Sequence, residues 1–349
     1  MDNRNITVAL IFGGAGVEHG VSVMGADNLI GMLRSRGLRV IPTLIRRDGG
    51  WLTADTDATA EEMEHGRCRL LPTFPIRLAD ERGLLVNGGI LRIDAAIPLL
   101  HGDRGEDGRV QGLLDCAGIP YIGCDTLCGA VCSDKAFTKL IARDLGIPTA
   151  RGIYSTECDT PERLAERAVC ELTFPMFVKP TRLGSSVGAS AVYREDQLSD
   201  AISRAYRLGS GRVIVEELVQ GARELECAVF SQNGKLLFTN IGEISYETGF
   251  YDYDTKYSSH SGVRILTSAR ISPEQRAAVL EYSRAIAQAL GIKGLSRIDY
   301  LLDGNGEIYF NEINTFPGMT ERSMFARLIE AEGTALPQLL DQLIREAVG

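Results

Sequence analysis

No stretch of 18 uninterrupted apolar residues occurs in the 349-residue sequence, so no membrane-spanning helix is expected. Positive charge is in deficit: 37 Lys and Arg face 46 Asp and Glu, a net −9. That balance argues against a broad electrostatic grip on nucleic acid or on an anionic membrane, and it leaves any phosphate to a local site. Cysteine is thinly spread, eight residues without a CxxC pair or nearby His ligands, so reduced thiols are expected. Cys124, Cys128 and Cys132 repeat at i, i+4, i+8 and read as packing rather than as a zinc site. There is no GxxxxGK[ST], which excludes a P-loop NTPase. The segment GGAGVEHGVS, residues 13–22, has Glu18 and His19 where a dinucleotide fingerprint needs its third glycine. HGDRGEDGRVQG, residues 101–112, fails as an EF-hand at Gly105 and Leu114. The start, MDNRNITVALIFGG, carries a short apolar run that ends in glycines without a small-residue cleavage site. A soluble, cytoplasmic protein is the expectation.

What is there is a globular composition, 44% hydrophobic, enough for two or three packed domains. The first third alternates apolar runs at 6–12, 38–45, 95–100 and 119–122 with helical spacing over 21–36 and 110–116. That is the β-α-β pattern of a parallel sheet covered by helices. Past residue 123 the pattern changes to a helix at 135–145, a helix opened by Thr160-Pro161-Glu162, and a strand at 176–178 feeding a Gly/Ser-rich loop. A second boundary is expected near 212. The last third carries two hairpin signals, Asn233-Gly234 and Asp303-Gly304-Asn305-Gly306. Between them the capping box Ser272-Pro273-Glu274-Gln275 opens a helix running to Gly291. The predicted fold class is mixed, α/β followed by α+β.

The chemistry sits in a few stretches. In YFNEINTFPGMTERS, residues 309–323, an apolar strand puts Glu312 and Asn314 on one face. On the strand before the turn, Arg297 and Asp299 share a face. If the register brings Asp299, Glu312 and Asn314 together, they form a set of hard oxygen ligands suited to Mg²⁺; an exposed polar sheet face accounts for the same spacing. Lys179 followed by PTRLGSSVG offers glycine, two hydroxyls and a point charge to an anion, and a plain surface hairpin is its alternative. Glu18 stands at a glycine turn before a helix, where it binds an ammonium group or merely offsets the helix dipole. GFYDYDTKY, residues 249–257, is too polar for core and reads as a lid or as a surface loop.

Together the segments FGGxxxEHxVS, LHGxxGEDGxxQG, VKPxxxGSSVG, FYDYxxKY and RID…NEINTxPGMT resemble the D-alanine-D-alanine ligase family of the ATP-grasp superfamily. The motifs occur in the family's order, and the resemblance runs from residue 8 to about 340. It implies an ATP-grasp fold behind an N-terminal Rossmann-like domain, divided as 1–123, 124–212 and 213–349. The implied ligands are ATP, Mg²⁺ as two ions with Mn²⁺ as an alternative, and D-alanine at two sites. A homodimer is implied, with no nucleic acid or membrane partner. Lys135 and Lys179 would contact phosphate, Glu216 and Glu217 would lie beside the adenine, Glu224 would bind the ribose, and Ser186 and Phe310 would belong to the nucleotide site. Asp299, Glu312 and Asn314 would hold the metal. Glu18 and His101 would form the first D-amino acid site. Ser185 would link Glu18 to Tyr257 of the lid, beside Lys256. Arg297 and the Gly318 N–H would stabilise the oxyanion, and Ser323 with Met324 would meet the second substrate. Two departures stand out: Gly20 where the family has a second acid, and Glu321-Arg322 where it has a Ser-His pair. The latter lies beside the second-substrate site and raises D-serine as an alternative to D-alanine. Tyr257 weighs against D-lactate, and the reading from another class is a nucleotide-binding protein without turnover.

Overall fold

A computed structural model describes residues 6–54, 57–102, 104–208, 212–246, 263–320 and 323–349. The N-terminal sheet runs Leu70–Pro72, Trp51–Ala54, Arg39–Ile45, Thr7–Gly13, Ala95–Pro98 in spatial order. Its centre is parallel, because Thr7–Gly13 pairs in that sense with both neighbours, while the two outer strands are antiparallel. The strand expected at 119–122 is reduced to one parallel bridge, Ala96 to Tyr121. Pro120 has no N–H to donate to a ladder, so its carbonyl alone accepts, from the Ala96 N–H at 2.8 Å.

A small antiparallel sheet, Pro75–Leu78, Glu81–Val86 and Gly89–Arg92, was not anticipated. Its signal was present: Asn87 and Gly88, at φ +50° and +78°, form the Asn-Gly turn between the last two strands.

The central sheet orders as Ser190–Val192, Met176–Pro180, Val213–Glu217, Gly152–Tyr154, all antiparallel. Helices Pro161–Glu171 and Leu198–Leu208 cover it and close one core spanning Ile153 to Val215. Thr160 caps the first of these by accepting from the Arg163 N–H at 3.3 Å. The C-terminal sheet orders as Val263–Leu266, Lys235–Tyr246, Arg223–Gln232, Leu295–Leu302, Ile308–Asn314, also antiparallel. Both hairpins expected from sequence are present in it.

One face of that sheet carries helix Pro273–Leu290, with the predicted capping box in place. Cys124, Cys128 and Cys132 pack into the same core from the short helix Thr126–Cys132. The opposite face meets helices Met324–Ala331 and Leu336–Val348, which lie against helix His19–Ser35 and the N-terminal sheet in one continuous core. Among the described residues no helix is long and apolar enough to cross a membrane.

Candidate active site

Three loops and two sheet faces converge. Glu18 precedes helix His19–Ser35 and is only 5% exposed. The Ser185 hydroxyl donates to its Oε1 at 2.8 Å. Oε2 has no hydrogen-bond partner among the described residues although it is buried. A buried carboxylate oxygen left this way costs free energy unless a donor arrives. The space around it is kept open by glycine: a Cβ on Gly102 would lie 2.2 Å from Oε2, and one on Gly184 3.0 Å from Oε1. His101, next to Gly102, is half-buried. The turn bearing Glu18 is tied down by His19, whose Nδ1 lies 2.6 Å from the Gly14 carbonyl and Nε2 2.9 Å from Glu64. Ser185 and Ser186 both adopt positive φ, +51° and +58°, a conformation that costs a non-glycine residue and that recurs at ligand-binding loops.

Lys135 opens helix Lys135–Asp144 and reaches the Leu183 carbonyl at 2.7 Å and Glu312 at 3.2 Å. Burial disfavours its charge, but Glu312, Glu106 and Glu18 outweigh that and raise its proton affinity. The helix is anchored by Asp134, which caps it and also meets Arg182 at 3.1 Å and Arg212 at 3.2 Å. Glu106, from the 101–112 loop, titrates at about 8; burial is the main cause and the Glu18 charge adds to it.

The acid row is as the hairpin spacing requires. Asp299 lies opposite Glu312, and Arg297 opposite Asn314. Arg297 clasps Asp299 through Nε at 2.7 Å and Nη2 at 2.7 Å, and the Asn314 amide donates to Asp299 at 2.9 Å. On the other side Glu226 lies opposite Asp299 and meets Arg297 Nε at 3.1 Å. Burial opposes the Arg297 charge, yet Asp299 and Glu226 hold it firmly protonated. Among the described residues no three His, Cys, Asp or Glu side chains meet at one point. The donor set is instead two carboxylates and one amide, all hard oxygen donors, with the Arg297 and Lys135 cations beside them. That chemistry fits Mg²⁺.

The register also sets how Phe310 is presented. Residue spacing would put Phe310 on the face of Glu312, but the ladder shifts there: Tyr300 pairs with Phe310 while the adjacent Asp299 pairs with Glu312. Asn311 is the extra residue of a bulge, which turns the Phe310 ring into the core, edge-on to Tyr300 at 6.0 Å. The Phe310 carbonyl and the Asn311 side chain are what face the two lysines described next.

Lys179 Nζ lies 2.9 Å from Glu216 and 3.1 Å from Asn311 Oδ1. Lys139, one turn after Lys135, pairs with the other oxygen of Glu216 at 2.6 Å. Burial pushes Glu216 up, but Lys139 and Lys179 outweigh it and hold the carboxyl at about 2. Strand alternation sends Glu217 to the opposite face, where it accepts from the Thr173 N–H at 2.9 Å. Glu224 is half-buried on the same face as Glu226.

Gly318 sits against Ser323, which precedes helix Met324–Ala331 and whose hydroxyl accepts from the Thr320 N–H at 3.1 Å. The Met324 side chain is 3% exposed and packs in the core, so only its main chain is available to a ligand. Tyr257, Lys256 and Glu321-Arg322 lie outside the described residues. Sequence reading passed over Glu106, Asp134, Lys139 and Glu226. The second lysine of SDKAFTK and the i, i+2 pair Glu224/Glu226 were the available signals.

Activating a carboxyl group with a nucleotide requires cations around the transferred phosphoryl group, hard oxygen donors for a metal, and a guanidinium for the oxyanion. This chain frames those groups between two antiparallel sheets, and it is a ligase of the ATP-grasp class. The family model for the D-ala D-ala ligase N-terminus matches residues 7–124, and that for the C-terminus residues 141–345. The D-alanine--D-alanine ligase of Chlorobium luteolum is 39% identical, over 99% of this chain and 98% of its own. The vancomycin/teicoplanin A-type resistance protein VanA of Enterococcus faecium is 34% identical, over 98% of each chain. The crystal structure of the VanG D-Ala:D-Ser ligase from Enterococcus faecalis superposes with a TM-score of 0.84 at 33% identity, covering 98% of this chain and 99% of that one. The chain belongs to the D-alanine–D-alanine ligase family.

Proposed function

We propose that the chain joins two D-alanines into D-alanyl-D-alanine at the expense of ATP, through an acyl phosphate, as a step of peptidoglycan precursor synthesis. The observation that carries this is Glu18: a buried carboxylate oxygen without a partner among the described residues, in a space cleared by Gly102, suits a small ammonium group. His101 flanks it, and Ser185 steers its other oxygen.

A carboxylate is a poor acceptor for an amine, so the first D-alanine is activated by attack on the γ-phosphate. Lys135, Lys179 and Ser186 bind the phosphates. Glu216 and Glu224, with the Glu217 and Phe310 main chains, border the base and ribose. Asp299, Glu312 and Asn314 would hold Mg²⁺, as two ions, or Mn²⁺ in its place, and the metal would supply charge neutralisation to the transferred group. Arg297 and the Gly318 N–H stabilise the oxyanion when the second amine attacks. Ser323 and Met324, at the start of helix Met324–Ala331, meet the second carboxylate. Tyr257 and Lys256 belong to a lid that excludes water from the acyl phosphate. The working division into domains is 1–123, 124–212 and 213–349. A cytoplasmic homodimer completes the proposal, since ATP is an intracellular substrate.

The test is ADP formation with ATP, Mg²⁺ and competing D-alanine, D-serine and D-lactate, with D-alanine expected to win. A D-serine preference would move the second substrate to the alternative that Glu321-Arg322 raises. No ADP with any D-amino acid would restore the reading of a binding protein. Glu312→Gln is expected to lower turnover by about a hundredfold or more at an unchanged melting temperature. Activity like that of the unaltered enzyme would refute the metal assignment.

A further inference from the structure

Lys139 is a cation that the reaction outlined above does not use. It is 2% exposed, yet it is not a lone buried charge: its ammonium lies 2.6 Å from Glu216 Oε1 and 3.4 Å from the Phe310 carbonyl. Those two partners belong to different sheets. Glu216 is the next-to-last residue of the strand Val213–Glu217 in the central sheet, and Phe310 lies on the C-terminal edge strand Ile308–Asn314. Lys179 spans the same two strands, through Glu216 Oε2 at 2.9 Å and Asn311 Oδ1 at 3.1 Å. One carboxylate therefore holds two ammonium groups across the cleft between the sheets.

The two lysines are not equivalent. Lys179 precedes the Gly/Ser-rich loop and is the one proposed to meet phosphate. Once it turns to that phosphate, Glu216 keeps Lys139 as its counter-ion, and a buried carboxylate without one is strongly disfavoured. Burial lowers the Lys139 ammonium to about 8; the Glu216 charge opposes that fall and the Lys179 charge adds to it. Lys135, one turn earlier, faces Glu312 and the Leu183 carbonyl instead. The helix Lys135–Asp144 thus presents one lysine to Glu312 and the next, one turn on, to Glu216 and the Phe310 carbonyl.

We propose that Lys139 is a positioning residue for the nucleotide's base: it fixes Glu216 and the Phe310 main chain across the cleft, so that Lys179 can leave Glu216 for the phosphates. This rests on the nucleotide site proposed above. In that site the Glu216 carboxylate accepts from the exocyclic amine of adenine, and an inosine nucleotide, with a carbonyl there, lacks that donor.

Lys139→Met keeps the aliphatic stem and removes the charge. The expected result is a KM for ATP and a calorimetric Kd for ADP raised by about tenfold to a hundredfold. The KM for D-alanine should change by less than about twofold, and the preference for ATP over ITP should shrink. Lys139→Arg, which keeps a cation, should recover most of the ADP affinity. Should the Met variant not fold, Lys139→Gln removes the charge while keeping a donor for the Phe310 carbonyl and is read the same way. Unchanged ADP affinity in the variant overturns the proposal. So does an equal loss for ADP and D-alanine accompanied by a lowered melting temperature, which marks a merely structural strut. If the unaltered protein binds no ADP, the nucleotide site itself is overturned and this inference with it.

Discussion

Glu106 shows how one carboxyl can be set by its neighbours. Burial raises it from 4.5 to about 8 and the Glu18 charge adds to the rise, while Lys135 pulls the other way. Between those two pH values the folded state binds more protons than the unfolded one. The linkage slope is therefore negative, and stability falls as pH rises from 4.5 through 8. Glu106→Gln should remove that fall, on the order of a few kcal/mol at its largest, and denaturant titrations across this window check it. A slope unchanged by the substitution would mean that other groups carry it. Glu18, Lys179, Arg297, Asp299 and Glu312 stood out in the sequence because their types and spacings answer a chemical need, and Lys135 stood out only through the family resemblance. Lys139 and Glu226 were not, because a buried lysine and a second strand acid reveal a partner only when another strand is laid beside them.

Elements bounded by turn or cap chemistry were legible to within a few residues. Ser272 and Gln275 satisfy each other's backbone donors, and Asn233-Gly234 closes its hairpin, through contacts that are local in sequence. The bulge at Asn311 was not legible, since only pairing against Leu295–Leu302 shows that the ladder gains a residue there. Long-range close approach has the same character. Gly294, at φ +70°, lies where a Cβ would fall 2.6 Å from the Gly123 N and 2.8 Å from its Cα. Backbone meets backbone, with no flexible side chain to yield. Gly294→Ala should cost about 2–4 kcal/mol in urea denaturation. A cost below about 0.5 kcal/mol would show that the two loops separate easily.

For the whole molecule, the cores divide differently from the chain. Residues 153–215 close a core of their own under two helices. The N-terminal sheet does not: its helix-bearing face shares one core with Phe316, Met319, Phe325, Leu328, Leu339 and Leu343, more than 200 residues away in sequence. A fragment of residues 1–123 should therefore unfold without a cooperative thermal transition, because it exposes the apolar face that Met324–Ala331 and Leu336–Val348 cover. A sharp transition in the isolated fragment, followed by calorimetry, would show that its half of the core suffices.

The sequence by itself determined the family, the mixed fold class, the caps and tight turns, and the residue types that reaction chemistry demands, because each is written in spacings of a few residues. Tertiary structure decided which charges face one another. It set Glu226, Asp299 and Glu312 side by side on three strands, turned Phe310 away from the cleft, and gave Glu216 two lysines. The physical reason is that ion pairs and strand register are fixed by distances between segments far apart in the chain, which local spacing does not encode.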